Sequence, residues 1–251
     1  MSIDHPSDAL FPGTRLGPYE VQRVIGRGGF GITYAARSNE GTGSIVAIKE
    51  LFPAKICTRE NSGHVVSDQK TGAGLLQDLR AMFLREVEII CKINHPNIVR
   101  GIEWIEQNGT AYLVMNYVSG KNLHELLRVR VGEGGFEVSH QSMMRLLGPI
   151  LSALKELHGY NILHGDIKPD NIFMGVGYQP ILIDLGSARI RNPALEWEDA
   201  ATFYPHFAAI EQYSSRHGRL GPWTDIYQLS AVVYRCITGG KIPESNERNK
   251  L

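Results

Sequence analysis

The stretch Ile162-Leu163-His164-Gly165-Asp166-Ile167-Lys168-Pro169-Asp170-Asn171-Ile172-Phe173, followed by Ile181-Leu182-Ile183-Asp184-Leu185-Gly186, decides how the rest of the chain is read. It sets two carboxylates, a lysine and an asparagine at fixed offsets in short loops. Apolar runs of strand type bound each loop, bury its flanks and hold the polar groups in place. Such a set suits metal-assisted transfer of a phosphoryl group. A carboxylate at Asp166 orients an attacking hydroxyl and accepts its proton, and Lys168 neutralises charge on the moving group. Asn171 and Asp184 offer oxygen ligands to a hard cation such as Mg²⁺. The transferred group carries its own chemistry, so the protein's task is to position and to screen charge.

Upstream, residues 19–25 read as a strand and 32–36 as its return, joined by a turn with glycines at 26, 28 and 31. This G-x-G-x-x-G also occurs where a strand runs into a helix, but Ile32, Thr33 and Tyr34 at the exit favour a strand. Backbone comes close to phosphate oxygens only where no Cβ intervenes, which is the use such glycines have. Lys49 ends a second apolar strand. A helix is expected over 78–94, with Leu79, Met82, Phe83, Ile90 and Ile93 on one face and Glu86 on the same face, where an unpaired charge is costly. The polar stretch between Lys49 and that helix, with Pro53, Gly63, Gly72 and Gly74, is longer than such connections usually are and reads as an insertion or mobile loop. A strand is expected over 110–117 and a short helix over 122–128. A longer helix carrying Met143, Leu147, Ile150, Leu154 and Leu157 is capped near Ser139, and another opens at Thr224 and stops at Gly239. Residues 1–16, polar and broken by Pro6 and Pro12, are expected to form a flexible lead-in.

With 251 residues, 43% hydrophobic and 21% charged, the chain reads as an ordinary globular protein. Lys+Arg and Asp+Glu are both 26, so nothing in the balance asks for nucleic acid or an anionic membrane. Cys57, Cys91 and Cys236 are odd in number and widely spaced, which argues against a disulfide framework and a zinc site. The chain carries neither a secretory signal pattern nor an apolar run long enough to span a bilayer, so a cytoplasmic location is expected.

Read as motifs, His164-Gly165-Asp166-Ile167-Lys168-Pro169-Asp170-Asn171 resembles the protein-kinase catalytic loop H-R-D-x-K-x-x-N, and Asp184-Leu185-Gly186 resembles D-F-G. The glycine turn resembles the flap over ATP phosphates, and Val46-Ala47-Ile48-Lys49 resembles V-A-I-K. Ala209-Ile210-Glu211-Gln212-Tyr213 is similar to the A-P-E that ends a kinase activation segment, and Asp225 to the aspartate that anchors the catalytic loop. Lys49-Glu50-Leu51-Phe52-Pro53 looks like a bacterial subset of Ser/Thr kinases. The resemblance covers about residues 17–243. It implies an α+β, two-lobed protein-kinase-like fold: a flexible segment over 1–16, a β-rich N-lobe with one main helix over 17–118, and a mostly helical C-lobe over 119–251 that is incomplete within this chain. It implies ATP and Mg²⁺ as cofactors in the interlobe cleft and a protein substrate with Ser/Thr hydroxyls, Asp166 being the base, Lys168 meeting the γ-phosphate, and Asn171 and Asp184 binding the metal. Nucleotide contacts are implied at Ile25, Gly26, Gly28, Gly29, Phe30, Gly31, Thr33, Ala47, Lys49, Glu86, Met115, Asn116, Val118, Phe173 and Asp184. In that set Glu86 pairs with Lys49, Met115 is the gatekeeper, and the backbone of 116–118 bonds adenine. Two other readings are a pseudokinase, which binds nucleotide as a scaffold, and a small-molecule phosphotransferase, whose H-G-D the chain matches better than it matches H-R-D.

The chain departs from the kinase pattern at several places. Gly165 stands where many kinases have an arginine that grips a phosphate on the activation segment, which implies activity without such a phosphate on Ser187 or Thr202. Leu185 replaces a phenylalanine. Tyr204 takes the position of the threonine that bridges the catalytic aspartate and lysine in Ser/Thr kinases. Glu211 usually pairs with an arginine from helices that the resemblance places after residue 251; either this chain is a fragment, or the lobe is incomplete and another group, such as Arg235 or Arg248, substitutes.

Overall fold

The computed structural model describes residues 8–41, 43–67, 73–132, 139–184, 204–213 and 219–248; Leu185, Gly186, Ser187 and Thr202 lie outside the described residues. Contacts divide the chain into two units. One runs up to Asn94 and includes Arg100–Tyr117; the other holds His95–Val99 and the chain from Val118 onward. This differs from a single cut at residue 118. His95–Val99 belongs with the second unit because Asn97 and Val99 exchange backbone hydrogen bonds with Leu182 (2.8 and 2.9 Å) and the Asn97 amide donates to the Pro180 carbonyl.

The first unit contains strands β1 (Arg15–Leu16), β2 (Tyr19–Arg27), β3 (Gly31–Ser38), β4 (Ile45–Leu51), β5 (Cys57–Arg59) and β6 (Val65–Ser67). Helix α1 (Ala73–Lys92) follows, then β7 (Gly101–Gln107) and β8 (Thr110–Asn116). A six-stranded sheet runs β1-β2-β3-β4-β8-β7, with every neighbouring pair antiparallel. Side chains on a strand alternate between faces, and directly paired residues share one. Ala35, Ala47 and Met115 are paired across β3, β4 and β8, as are Thr33, Lys49 and Leu113, so all six lie on one face. Ile32, Glu50 and Tyr112 lie on the other, beside Tyr34, Ile48 and Val114.

That second face is covered by Ala9, Leu10, Phe52, Cys57 and Val65. The expected flexible lead-in is therefore in part a packed strap: Ala9 and Leu10 are 1% and 3% exposed, and the Leu10 amide donates to the Tyr34 hydroxyl. The expected mobile insertion is likewise built, its residues 57–67 forming the β5-β6 hairpin. Both corrections have one cause. Glu50, fully buried, accepts from Tyr34 Oη (2.7 Å), Tyr112 Oη (3.0 Å) and Arg59 Nη2 (2.6 Å). Arg59 also donates to the Asp8 carbonyl and lies over the Phe52 ring, and the Asp8 carboxylate pairs with Arg27 at the glycine turn. Burial first, then the Glu50 charge, holds the Tyr34 and Tyr112 hydroxyls well above the usual phenol range, so both stay donors.

The second unit contains β9 (Lys121–Asn122), α2 (Leu123–Gly132), α3 (His140–Gly159), β10 (Ile172–Met174), β11 (Pro180–Leu182), α4 (Pro222–Thr238) and the short α5 (Ser245–Arg248). Ser139 caps α3 by accepting the Ser142 amide, and Met143, Leu146, Ile150, Ala153, Leu154 and Leu157 form its buried stripe. α4 ends at Gly239 in the left-handed region (φ 64°). Its buried stripe is unusual in being polar at the start: Thr224, Asp225 and Gln228 precede Leu229, Val232 and Cys236. Among the described residues no helix is long and apolar enough to cross a membrane.

Removing one partner of a buried ion pair strands the other charge, which costs about 3–5 kcal/mol. We therefore expect Arg59→Met to lower stability in urea unfolding by about that amount, and Glu50→Gln with Arg59→Met to recover part of the loss. An Arg59→Met protein within about 1 kcal/mol of wild type would show that the pair does not hold the hairpin.

Candidate active site

The catalytic stretch begins where α3 is closed off. The amides of Tyr160 and Ile162 return to the Leu157 carbonyl and that of Asn161 to His158, with Asn161 in the left-handed region (φ 58°). The chain then enters 162–171 with Ile162, Leu163 and Ile167 buried on its flanks, as the apolar positions around Asp166 require.

Asp166 is 8% exposed, and two side chains hold its carboxylate: Lys168 Nζ and Asn171 Nδ2 donate to Oδ2 at 2.6 and 2.9 Å. Asn171 Nδ2 also donates to the Asp166 carbonyl (2.8 Å), so the asparagine amide is committed on its nitrogen side and turns its oxygen away from Asp166. Below the loop sits Asp225, with no exposure. Its Oδ2 accepts the His164 amide (3.0 Å) and its Oδ1 the Gly165 amide (2.8 Å). His158, in the last turn of α3, donates Nε2–H to the same carboxylate at 2.7 Å. The sequence reading passed over His158, and nothing in the local pattern singles it out, because its partner lies 67 residues away. Fully buried His164 accepts the Asp166 amide on Nδ1 (3.4 Å) and meets the Ile183 carbonyl through Nε2 (3.1 Å), which assigns its ring proton to Nε2.

That last contact leads to the expected metal residues. β10 and β11 pair Ile172 with Leu182 and Phe173 with Ile181, and the Ile183 amide donates to the Asn171 carbonyl. Asn171 and Asp184 thus flank the same end of one hairpin, Asp184 taking a left-handed backbone (φ 61°) uncommon for a residue with a side chain. Among the described residues no three His, Cys, Asp or Glu side chains form a cluster able to hold a metal by themselves. One carboxylate and one amide oxygen are the donor set with which Mg²⁺ is held jointly by protein and substrate phosphates, so the residues fit that ion.

In the first unit, Thr33, Ala47, Lys49 and Met115 share one face of the sheet through the register given above. The glycine turn is closed by the Gly28 amide donating to the Gly31 carbonyl (2.9 Å). A Cβ on Gly31 would lie 2.3 Å from the Glu50 carbonyl and 3.6 Å from Lys49 Cε, so only glycine lets the turn lie this close to β4 and to the lysine. A Cβ on Gly28 would meet nothing within 4 Å. Among the described residues no packing demands glycine there. Gly26 sits over Thr33, Gly29 is exposed, and Phe30 is half-buried with its carbonyl bonded to the Phe52 amide. Ile25 is 37% exposed, unusual for isoleucine on a sheet, while Met115 is buried and the Asn116 amide donates to Arg100. Glu86 is buried on α1, which packs on β7 and β8. Val118 falls in the second unit.

Of the partners the sequence leaves open for Glu211, the two arginines do not hold. Neither Arg235 nor Arg248 takes up Glu211: Arg235 donates to the Gly239 carbonyl and Arg248 lies over Tyr227. Glu211 instead accepts the Thr224 hydroxyl at 2.6 Å. Tyr204, in the place of a bridging threonine, presents its ring to Lys168, whose Nζ is 5.6 Å from the ring centroid.

The family model "Protein kinase domain" matches residues 19–251. Over 88% of its length the chain is 26% identical to Serine/threonine-protein kinase pkn3 of Myxococcus xanthus and 28% identical to Serine/threonine-protein kinase PkaA of Streptomyces coelicolor. It spans only 38% and 39% of those two proteins. Among solved structures, "PpkA-294 apo form" superposes with a TM-score of 0.79 at 33% identity, covering 97% of this chain and 84% of that one. The M. tuberculosis PknI kinase domain superposes at 0.66 and 21% identity, a likeness of fold, over 94% of this chain and 79% of that one. With the motif order, the loop geometry and these matches in agreement, the chain belongs to the protein kinase domain family.

Proposed function

We propose that this domain transfers the γ-phosphate of ATP to serine or threonine hydroxyls of a protein substrate, with Mg²⁺ held by Asn171 and Asp184. The observation that carries the reading is the Asp166 carboxylate, gripped on one oxygen by Lys168 and Asn171 on a loop that a buried aspartate holds from below. With Oδ2 so occupied, Oδ1 is the atom that receives the acceptor hydroxyl and takes its proton as the new phosphate ester bond forms. Lys168 neutralises charge on the phosphoryl group as it leaves the β-phosphate. Asn171 and Asp184 would hold Mg²⁺, which would supply positive charge to offset the negative charge developing on the phosphoryl group. Lys49 meets the α- and β-phosphates, Glu86 is its counter-ion, and Gly26, Gly28, Gly29 and Gly31 let the turn approach the phosphates.

The adenine side of the reading falls on Ile25, Ala47, Met115 and Phe173, with the backbone of Asn116 and Val118 as hydrogen-bonding partners. The choice of serine and threonine over tyrosine acceptors rests on Lys168-Pro169 and on the bacterial Ser/Thr kinases the chain resembles. The balanced charge and widely spaced cysteines fit a cytoplasmic setting with a protein partner.

The decisive experiment follows labelled γ-phosphate from Mg-ATP onto the chain itself and onto a generic basic protein. We expect Asp166→Ala and Lys49→Met each to reduce transfer by about 100-fold or more, while Asp166→Ala keeps ATP-dependent thermal protection. A wild-type chain that ATP protects but that transfers nothing points to the pseudokinase, and transfer only to sugar or antibiotic hydroxyls to the small-molecule enzyme. A second expectation follows from Gly165, which has no side chain with which to grip a phosphate. Phosphatase-treated protein, and the Ser187→Ala and Thr202→Ala variants, should retain activity within about twofold. Activity that disappears on phosphatase treatment and in either variant overturns this.

A further inference from the structure

We infer that Gln228 and Gln212 are positioning residues for Asp166, forming an uncharged link through which the segment 204–213 sets the geometry of the base. The inference rests on the reading of Asp166 as the base and extends it to residues that do not touch the substrate. It starts from the two peptide groups that flank the Asp166 Cα. The carbonyl of Gly165 accepts Gln212 Nε2 (2.9 Å) and Gln228 Nε2 (3.0 Å). The amide of Asp166 is bonded to His164, and its carbonyl to Asn171. The amide of Ile167 donates to Gln228 Oε1 at 2.9 Å. Each polar group on either side of the base is thus bonded, and Gln228 alone among the described residues reaches both peptides.

Gln228 is 2% exposed, and a glutamine amide buried this deeply costs free energy unless its donors and acceptor are matched. Here they are: Oε1 takes the Ile167 amide, and Nε2 serves both the Gly165 carbonyl and Gln212 Oε1 (2.9 Å). Gln212 Oε1 also accepts the Ala209 amide, which ties the pair to the turn over 204–213. A fully satisfied buried network has one geometry, and a shift of either glutamine moves the Gly165 carbonyl and with it the Asp166 Cα. Gly165 makes the arrangement possible. Its backbone is left-handed (φ 72°), a conformation that a side chain at this position would strain.

Methionine matches glutamine in length and flexibility but makes none of these bonds, so the full chain with Gln228→Met, Gln212→Met and both changes provides the test. For the single variants we expect kcat for transfer to a basic protein to fall about 10- to 100-fold with the KM for Mg-ATP unchanged, and the double variant to lose less than the product of the two. Hydrogen exchange at the Ile167 amide should accelerate at least about tenfold in Gln228→Met, because its acceptor is gone. This readout is independent of turnover, so an inactive wild type, which would defeat the proposed function, still leaves the positioning claim to be decided. If Gln228→Met does not fold, Gln212→Met, half-buried and with Gln228 left in place, decides alone. Folded variants with kcat within about twofold of wild type and unchanged exchange at Ile167 overturn the inference, as does a loss confined to the KM for ATP.

Discussion

A buried carboxylate that would be intolerable alone holds the catalytic loop together. Asp225 has no exposure, and a carboxylate taken out of water without partners loses far more solvation than any one contact returns. Its position on α4 makes the cost acceptable. Two successive backbone amides, of His164 and Gly165, converge on its two oxygens, and His158 supplies a third donor from α3. Since each of these donors would also be stranded without it, the carboxylate and the loop stabilise each other. Asp166 inherits its place from this exchange: the residue before it is fixed by Asp225, and its side chain is then turned by Lys168 and Asn171.

The first unit solves a similar problem at Glu50, one residue after Lys49. Strand alternation sends the two side chains to opposite faces, so β4 carries a cation on one side and a buried anion on the other. The Lys49 side is shared with Thr33, Ala47 and Met115. The Glu50 side is sealed by the strap over Ala9 and Leu10 and by the β5-β6 hairpin, both drawn in by Arg59. Through Asp8 and Arg27 the same cap reaches the glycine turn, so the strand that positions Lys49 and the turn beside it share one support.

Local patterns made much of this legible. The glycine turn between strands, the α3 stripe, the Ser139 cap and the Gly239 stop are properties of neighbouring residues, and each appears where its pattern puts it, while α1 spans Ala73–Lys92 and so starts earlier than the expected 78. The juxtaposition of Asp166, Lys168 and Asn171 is local too, because five residues are enough to bring an asparagine back onto an aspartate. What stayed hidden depends on partners far along the chain. Nothing local marks Glu50 as buried, since Tyr112, 62 residues on, donates to it, and the polar stretch after it reads as a mobile loop until Arg59 is seen to be buried. Glu211 is a further case: of the partners the sequence left open, neither Arg235 nor Arg248 reaches it, and a threonine hydroxyl 13 residues away donates to it.

The two ways of fixing the backbone beside Asp166 differ in when they act. An ion pair between a loop arginine and a phosphate exists only after the phosphate is added, and its strength falls with screening. Hydrogen bonds between buried amides carry no net charge and are present whenever the surrounding packing is. Glycine at 165 has no side chain with which to make the first kind of link, and the carbonyl of that same glycine serves as the acceptor for the second. The donors come from α4, which the Asp225 exchange already fixes, and from the turn over 204–213, whose Tyr204 ring also covers Lys168. That turn touches the loop at both Lys168 and the backbone beside Asp166, so whatever displaces 204–213 must disturb both at once.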